Sequence, residues 1–351
     1  MAPRAKSLKT AHPNRGLSPG QPLVIAAREL LQPRFERLNE VLAEALVAPA
    51  EEAEPIHRLR VATRRCATAL NTFGRLIPSE LRQPVQRRLK RLRQACGPAR
   101  DLDIQRDFYE HLLTEVETRD LAVVDLLYER VANRRERLQQ ELQQSLGRGR
   151  KKLQRRMDDV LDHLEILQER PTAPFGRVAQ TAGPLLSRAL NDVCSRGPNA
   201  DSTAESLHSL RIAGKHLRYA CELFEPLLGD DFADSLAPHL VALQDELGIC
   251  HDSQVAREEL ARLRLRWKRK RHGAKWDQKP QGLFLWKELV GGLRFVARVH
   301  ADRAEQARDR FLTLWPSFST TAFRQPLESR LQQLTQSSLL RTPDSSGACT
   351  R

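Results

Sequence analysis

Residues 207–224 read LHSLRIAGKHLRYACELF. Within them His208, Arg211, Lys215 and Arg218 recur at steps of three, four and three, a spacing usually held by apolar residues facing a core. Leu210, Ile212, Leu217, Ala220 and Phe224 are expected to form a second, apolar stripe packed on neighbouring helices. The segment therefore reads as a helix with two faces. Taken alone, its basic face is an ordinary solvated one.

The same arrangement occurs earlier in the chain. Residues 57–73, HRLRVATRRCATALNTF, align with it at an offset of 151 residues. Arg60 falls on Arg211, Val61 on Ile212, Arg64 on Lys215 and Phe73 on Phe224. The register holds downstream, where Leu89, Leu92, Gly97 and Asp101 fall on Leu240, Leu243, Gly248 and Asp252. Such self-similarity is the mark of a repeated structural unit. Each copy offers His and Arg on one helix, then a second helix expected to end at Gly. Asp101 and Asp252 are read as N-caps of the helices that follow.

The periodicity is helical nearly throughout, with no run of convincing strand alternation. Helices are expected near 22–47, 54–77, 79–96, 102–117, 119–146 and 151–169, then 175–195, 203–225, 231–247, 251–271 and 283–314. Gly97-Pro98, Gly147-Arg148-Gly149, Pro171 and Pro174 supply the punctuation. Short connections favour antiparallel neighbours. The fold class is thus all-α, with two pseudo-symmetric antiparallel helical bundles over residues 21–170 and 171–315. Residues 1–20 read as a flexible basic tail, and 316–351 as an extension disordered from about Gln336.

The chain has 351 residues, enough for a large core, and 40% of them are hydrophobic without a long uncharged apolar run. It reads as soluble, with no membrane partner. Lys and Arg number 58 against 44 Asp and Glu, a net charge of +14, so the surface should attract polyanions. Cys66, Cys96, Cys194, Cys221, Cys250 and Cys349 show no CxxC pair and read as reduced, mostly buried residues, with no metal site implied. Cys250 and His251 adjoin, but neighbours on a helix point in different directions. The first 22 residues are basic without an apolar signal region, and their prolines oppose an amphipathic presequence.

Two motifs in order, H-x-L-R-[VI]-x-x-[RK] at His57–Arg64 and His208–Lys215, together with GPARDLD from Gly97 and KHLRYACELF from Lys215, resemble the CHAD family, the conserved-histidine α-helical domain. The resemblance covers roughly residues 22–315. It implies paired helical bundles enclosing a basic central groove or pore that binds inorganic polyphosphate without catalysis. It also implies a cytoplasmic protein that associates with polyphosphate granules. Carried over by motif, the ligand-facing residues are His57, Arg60, Arg64, Lys90, Arg91, Arg100, His208, Arg211, Lys215, Arg218 and His251. Val241 replaces Lys90 at the repeat position. The first half's second helix, with Arg87, Arg88, Lys90, Arg91 and Arg93, is therefore expected to contribute more.

The chemistry of the residues agrees. Arginine's planar fork matches phosphate oxygens, lysine adds a point charge, and histidine donates when neutral and gains charge beside an anion. Only 5% of residues are aromatic, and Phe73, Phe224 and Tyr219 fall where a core would take them. Such a groove suits phosphates without bases. Binding of RNA or single-stranded DNA stays open as the alternative, since Coulomb attraction alone gives a basic surface some affinity for nucleic acid. Residues 266–272, RWKRKRH, read equally as a nucleic-acid patch or an exposed basic helix end. A phosphoryl-transfer or phosphatase reading is weaker. The basic motifs hold no acidic cluster and no Walker-type loop, so no catalytic residue and no cofactor are expected.

Overall fold

The structure, a computed structural model, describes residues 16–169, 175–198, 203–229, 232–273, 276, 278, 280–320 and 323–339. The helices, in order, are α1 (Leu23–Val47), α2 (Glu54–Thr72), α3 (Ser79–Glu115), α4 (Thr118–Gly147), α5 (Arg150–Gln168), α6 (Val178–Ser195), α7 (Ala204–Leu223), α8 (Glu225–Leu228), α9 (Ala237–Lys270), α10 (Trp286–Ser319) and α11 (Arg324–Leu339). A π-turn, Phe232–Leu236, leads into α9, and a 3₁₀ turn, Pro280–Leu283, precedes α10. Among the described residues there is no strand, only a single bridge between Pro22 and Arg177.

Local chemistry sets many of the ends. Pro55 stands in the first turn of α2, where its missing N–H costs nothing. The Thr203 side chain accepts from the Ser206 N–H to cap α7. Gly149, at φ +70°, makes the left-handed turn between α4 and α5. Two expected breaks are absent, however. The helices expected at 79–96 and 102–117 are one helix of 37 residues, α3, and those at 231–247 and 251–271 are largely one of 34, α9.

Packing explains both. Pro98 deletes one intrahelical bond and disturbs the carbonyls a turn earlier. The Arg60 guanidinium donates to one of these, the Arg93 carbonyl, at 3.1 Å. Leu92, Cys96, Ala99 and Leu102 are buried on both sides of the proline and keep the segments in line. In α9 the penalty of Gly248 is about 1 kcal/mol, far less than burial of Leu243, Leu247 and Leu260 returns. Asp101 and Asp252 consequently lie inside helices and cap nothing, which corrects the sequence expectation.

One core is built from the apolar faces of α1, α2, α5, α6, α7 and α11 with the N-terminal halves of α3 and α9. It draws on residues either side of position 170, so the two sequence halves share it. A second core joins the C-terminal half of α3, the start of α4, the end of α9 and the start of α10 through Leu102, Tyr109, Val124, Leu263, Trp267 and Leu293. Here α10 approaches α4 closely: a Cβ on Gly292 would lie 2.5 Å from the Val123 side chain.

Residues that the sequence reading left outside the bundles are packed at both margins. Leu17 is buried, the Pro19 carbonyl accepts from the Ala179 N–H, and the Arg177 guanidinium donates to the Gly20 carbonyl. Residues 16–20 therefore pack on the start of α6, while 1–15 lie outside the described residues. At the other end α10 continues to Ser319 and α11 lays Leu327, Leu331 and Leu334 into the main core, reaching Leu339. Residues 340–351, with Cys349, lie outside the described residues.

Candidate anion-binding site

Helix α7 orients its two faces as its wheel requires. Leu210, Leu217, Ala220 and Phe224 are buried, which turns His208, Arg211, Lys215 and Arg218 toward α2 and α9. Ile212, assigned to the apolar stripe from sequence, is 42% exposed, because two residues beyond Leu210 is the far side of a helix. Helix α2 does the same with Leu59, Cys66 and Phe73 inward and Arg60 and Arg64 half-buried. The two helices pack on each other and are tied by Glu222, which accepts from Arg65 of α2 and Arg218 of α7, each at 2.9 Å. Arg218 is thus spent largely on this ion-pair tie.

Above the tie, cations from both halves share one field. Burial lowers the Arg60 pKa, Arg64 lowers it further, and Asp101 opposes both. Burial also lowers Arg211, with Asp252 opposing and Arg64 reinforcing. Lys215 is pushed down from 10.5 to about 7, first by burial, then by Arg211 and Arg64. Arg93 is lowered by burial and by Arg64 and Arg60, and Arg100 acts on Arg60 and Asp101. Six cations therefore face two nearby carboxylates. The Arg211–Asp252 separation is 3.7 Å, too long for a hydrogen bond, and Arg211 Nε is buried without a partner. Half-desolvated cations with a buried donor left over are chemically able to hold an anion.

The histidines differ from one another. His208 and His251 meet Nδ1 to Nδ1 at 3.1 Å with rings 4.5 Å apart, so one ring donates and the other accepts. Burial lowers the His251 pKa, and Arg211 and His208 add to the effect. His57, half-buried, starts the basic face of α2, its backbone N–H bonded to the Ala53 carbonyl. Cys250 Sγ turns to the Ala304 carbonyl on α10 while His251 turns to α7, so the adjacent pair faces different helices. Among the described residues no cluster of metal-ligand type occurs.

The basic run of α3 is divided. Lys90 and Arg91 are exposed, and Arg88 is committed to the Ser145 and Leu146 carbonyls at the end of α4. Only Arg93 of that run joins the cation group, while its guanidinium also donates to the Thr63 carbonyl. Phe73 and Phe224 are buried as expected, whereas Tyr219 is half-exposed and lies near Arg93 and Arg211.

Sequence reasoning missed two groups. Asp101 and Asp252 sit among the cations, a role their recurrence at the 151 offset could have indicated. Arg135 and Gln139, in a stretch read as merely amphipathic, are buried. Arg135 Nε donates to Asp103 at 2.8 Å and Nη1 to Gln139, which donates in turn to the Ala48 carbonyl. No sequence signal marks Arg135, since its neighbours Arg134 and Arg137 are as basic.

The CHAD domain family profile matches residues 13–261. Two uncharacterized proteins of Mycobacterium tuberculosis, from strains CDC 1551 / Oshkosh and ATCC 25618 / H37Rv, are each 27% identical over 240 residues. The match covers 64% of this chain and 43% of theirs, so the chain spans less than half their length. The crystal structure of the CHAD domain from the plant Ricinus communis has a TM-score of 0.63 and 22% identity, covering 87% of this chain and 95% of that one. PptA from Streptomyces chartreusis has a TM-score of 0.53 and 16% identity, covering 84% and 99%. At these identities the likeness establishes the fold.

Proposed function

The chain belongs to the CHAD family, and we propose that it binds inorganic polyphosphate, without transforming it, on the cation cluster of α2, α3, α7 and α9. The observation that supports this most is the imbalance at that cluster: Arg60, Arg64, Arg93, Arg100, Arg211 and Lys215 share one field opposed by Asp101 and Asp252. Phosphate oxygens along a chain supply the missing charge and accept from guanidinium forks. His208 and His251 stand at the edge of the cluster, where one ring offers a donor. Few rings face it, so a ligand without bases fits better than one with them. In this reading the repeats bring equivalent basic faces onto one shared groove, and the protein acts in the cytoplasm beside polyphosphate deposits.

Charge reversal at the cluster tests the proposal. Arg60→Glu with Arg211→Glu places two anions where phosphate should lie. Lys151→Glu with Arg155→Glu makes the same change in net charge on the exposed face of α5. Each contact to an ionised group contributes about 1.5–3 kcal/mol. The cluster variant should therefore lose at least about a hundredfold in polyphosphate affinity at fixed salt, against a few-fold for the control. Equal losses in two variants of unchanged helicity would reduce binding to general positive charge. Because Arg60 also supports α3 beside Pro98, Arg64→Gln with Lys215→Gln provides a second variant without that role.

A further inference from the structure

The basic segment 266–272 is not a loose helix end. Arg266, Arg269 and Lys270 of α9 face Arg130, Arg134 and Arg137 of α4 across a cavity of about 1180 Å³. On each helix the three share one face by their spacing. Among the described residues none of the six makes an ion pair, although Asp125 and Glu129 line one end of the cavity. Desolvation lowers the Arg130 pKa, and Arg266 and Arg134 lower it further.

Rings gather at the same place. Trp276 and Phe284, both half-exposed, line the cavity with the indole of Trp267, and Arg271 lies 5.0 Å over the ring of Trp286 nearby. In a chain only 5% aromatic, three of the four tryptophans collect beside the second cation group. Near the cations of the anion site on α2 and α7 stands a single half-exposed ring among the described residues, Tyr219.

This cavity opens into another, of about 420 Å³, with which it shares Arg130, Arg134, Leu263, Arg266 and Arg269. Together they form a trough along α9 from Ala256 to Lys270, about 21 Å at the helical rise. Glu259, bonded to Gln105 at 2.5 Å, lines the smaller cavity and acts on Asp101, so the end of the trough nearer the first site is acidic.

We propose that the trough between α4 and α9 binds a short single-stranded segment of nucleic acid, independently of the anion site on α2 and α7. The two rows of cations track the phosphates, and Trp276 and Phe284 stack bases. That combination of a basic groove and ring platforms is how sequence-tolerant single-strand binders work. The length accommodates on the order of four nucleotides, the low end of such sites. A polyphosphate chain would use the cations and leave the rings idle. An anionic membrane is the competing partner, because Leu283 and Leu285 are exposed at the tip of the preceding turn. The cations and rings, however, face one another inside a concave trough, whereas insertion into a bilayer wants them on a convex tip.

The test compares full-length wild type, Trp276→Ala with Phe284→Ala, and Arg60→Glu with Arg211→Glu. Probes are a labelled twelve-nucleotide RNA, a polyphosphate of similar length, and phosphatidylcholine vesicles with a third phosphatidylserine, all at one salt concentration. Removing the rings should weaken RNA about tenfold or more, the loss that one stacked base confers, and leave polyphosphate unchanged. The cluster variant should retain most RNA affinity. RNA affinity that survives ring removal, or that falls only with the Arg60 and Arg211 reversals, would overturn the proposal. So would loss of vesicle binding alone on ring removal. If the ring variant melts early, photo-crosslinking of thiouridine RNA to wild type decides. Adducts are expected on α4 or residues 266–286, and adducts confined to α2 or α7 would refute the site.

Discussion

Lys215 offers the most demanding prediction about the anion site. Its pKa is about 7 in the free protein, because burial, Arg211, Arg64 and Arg60 disfavour its charge while Asp252 only partly favours it. A polyanion bound there inverts those influences and returns the amine to its ordinary 10.5 or above. Binding above neutrality must then take up a proton. Free Lys215 is half protonated at pH 7 and about one part in a hundred protonated at pH 9, whereas the bound lysine stays charged across this range. Affinity should therefore fall by about fifty-fold from pH 7 to 9, approaching tenfold per pH unit. Burial, Arg211 and His208 lower the His251 pKa, so that ring titrates below this window. Lys215→Arg, permanently charged, should bind with little dependence on pH. Calorimetry in two buffers of different ionisation enthalpy measures the proton uptake directly. Long chains are needed so that terminal phosphates, which titrate near neutrality, are a minor share. A wild-type affinity flat from pH 7 to 9, or an equal slope in Lys215→Arg, would refute the reasoning.

Three further outcomes concern the scaffold. Gly292→Ala should destabilise by about 1–3 kcal/mol in urea unfolding, since its methyl meets Val123 at 2.5 Å, and Val123→Ala in the same chain should recover part of the loss. Arg135→Met leaves Asp103 buried and unpaired and should cost about 3–5 kcal/mol, whereas Arg135→Met with Asp103→Leu should be far milder. His300, stacked at 3.9 Å on Phe108 and held neutral with a pKa of about 4, should make the fold lose stability as pH falls from 6.5 toward 4. Over that interval the unfolded chain gains a proton that the folded one refuses. Melting of His300→Gln should show a smaller decline.

The course of the helices is legible in sequence because helix propensity and apolar period agree over most of the chain. Where they disagree with punctuation, packing decides: Gly97-Pro98 reads as a stop, yet leucines buried on both sides carry α3 through it. The recurrence at 151 residues groups Arg60, Arg64, Arg211 and Lys215, and in the structure the three arginines act on Lys215. It does not reveal which charges are already answered. Arg218 meets Glu222 one turn on, a pairing its i,i+4 spacing could have shown, whereas Arg88 meets the end of α4 at a sequence distance that a local pattern omits. The trough escaped for the same reason. Arg130 and Arg266 are 136 residues apart and look like solvated helix faces until the two helices are set side by side.

Helix α6 packs its apolar face, including Leu186 and Leu190, with α11, whose Leu327, Leu331 and Leu334 join the same core. These partners leave the ribosome far apart in time. At about 5–20 residues per second, the interval between completing α6 at Ser195 and beginning α11 at Arg324 is on the order of ten seconds. For that period α6 has only α7 and α1 to pack on, and the part of its leucine stripe that α11 takes stays uncovered. Completion of this part of the core thus waits for α11 to be synthesised. A chain ended at Ser319 should bind a hydrophobic dye and aggregate where the full chain does neither.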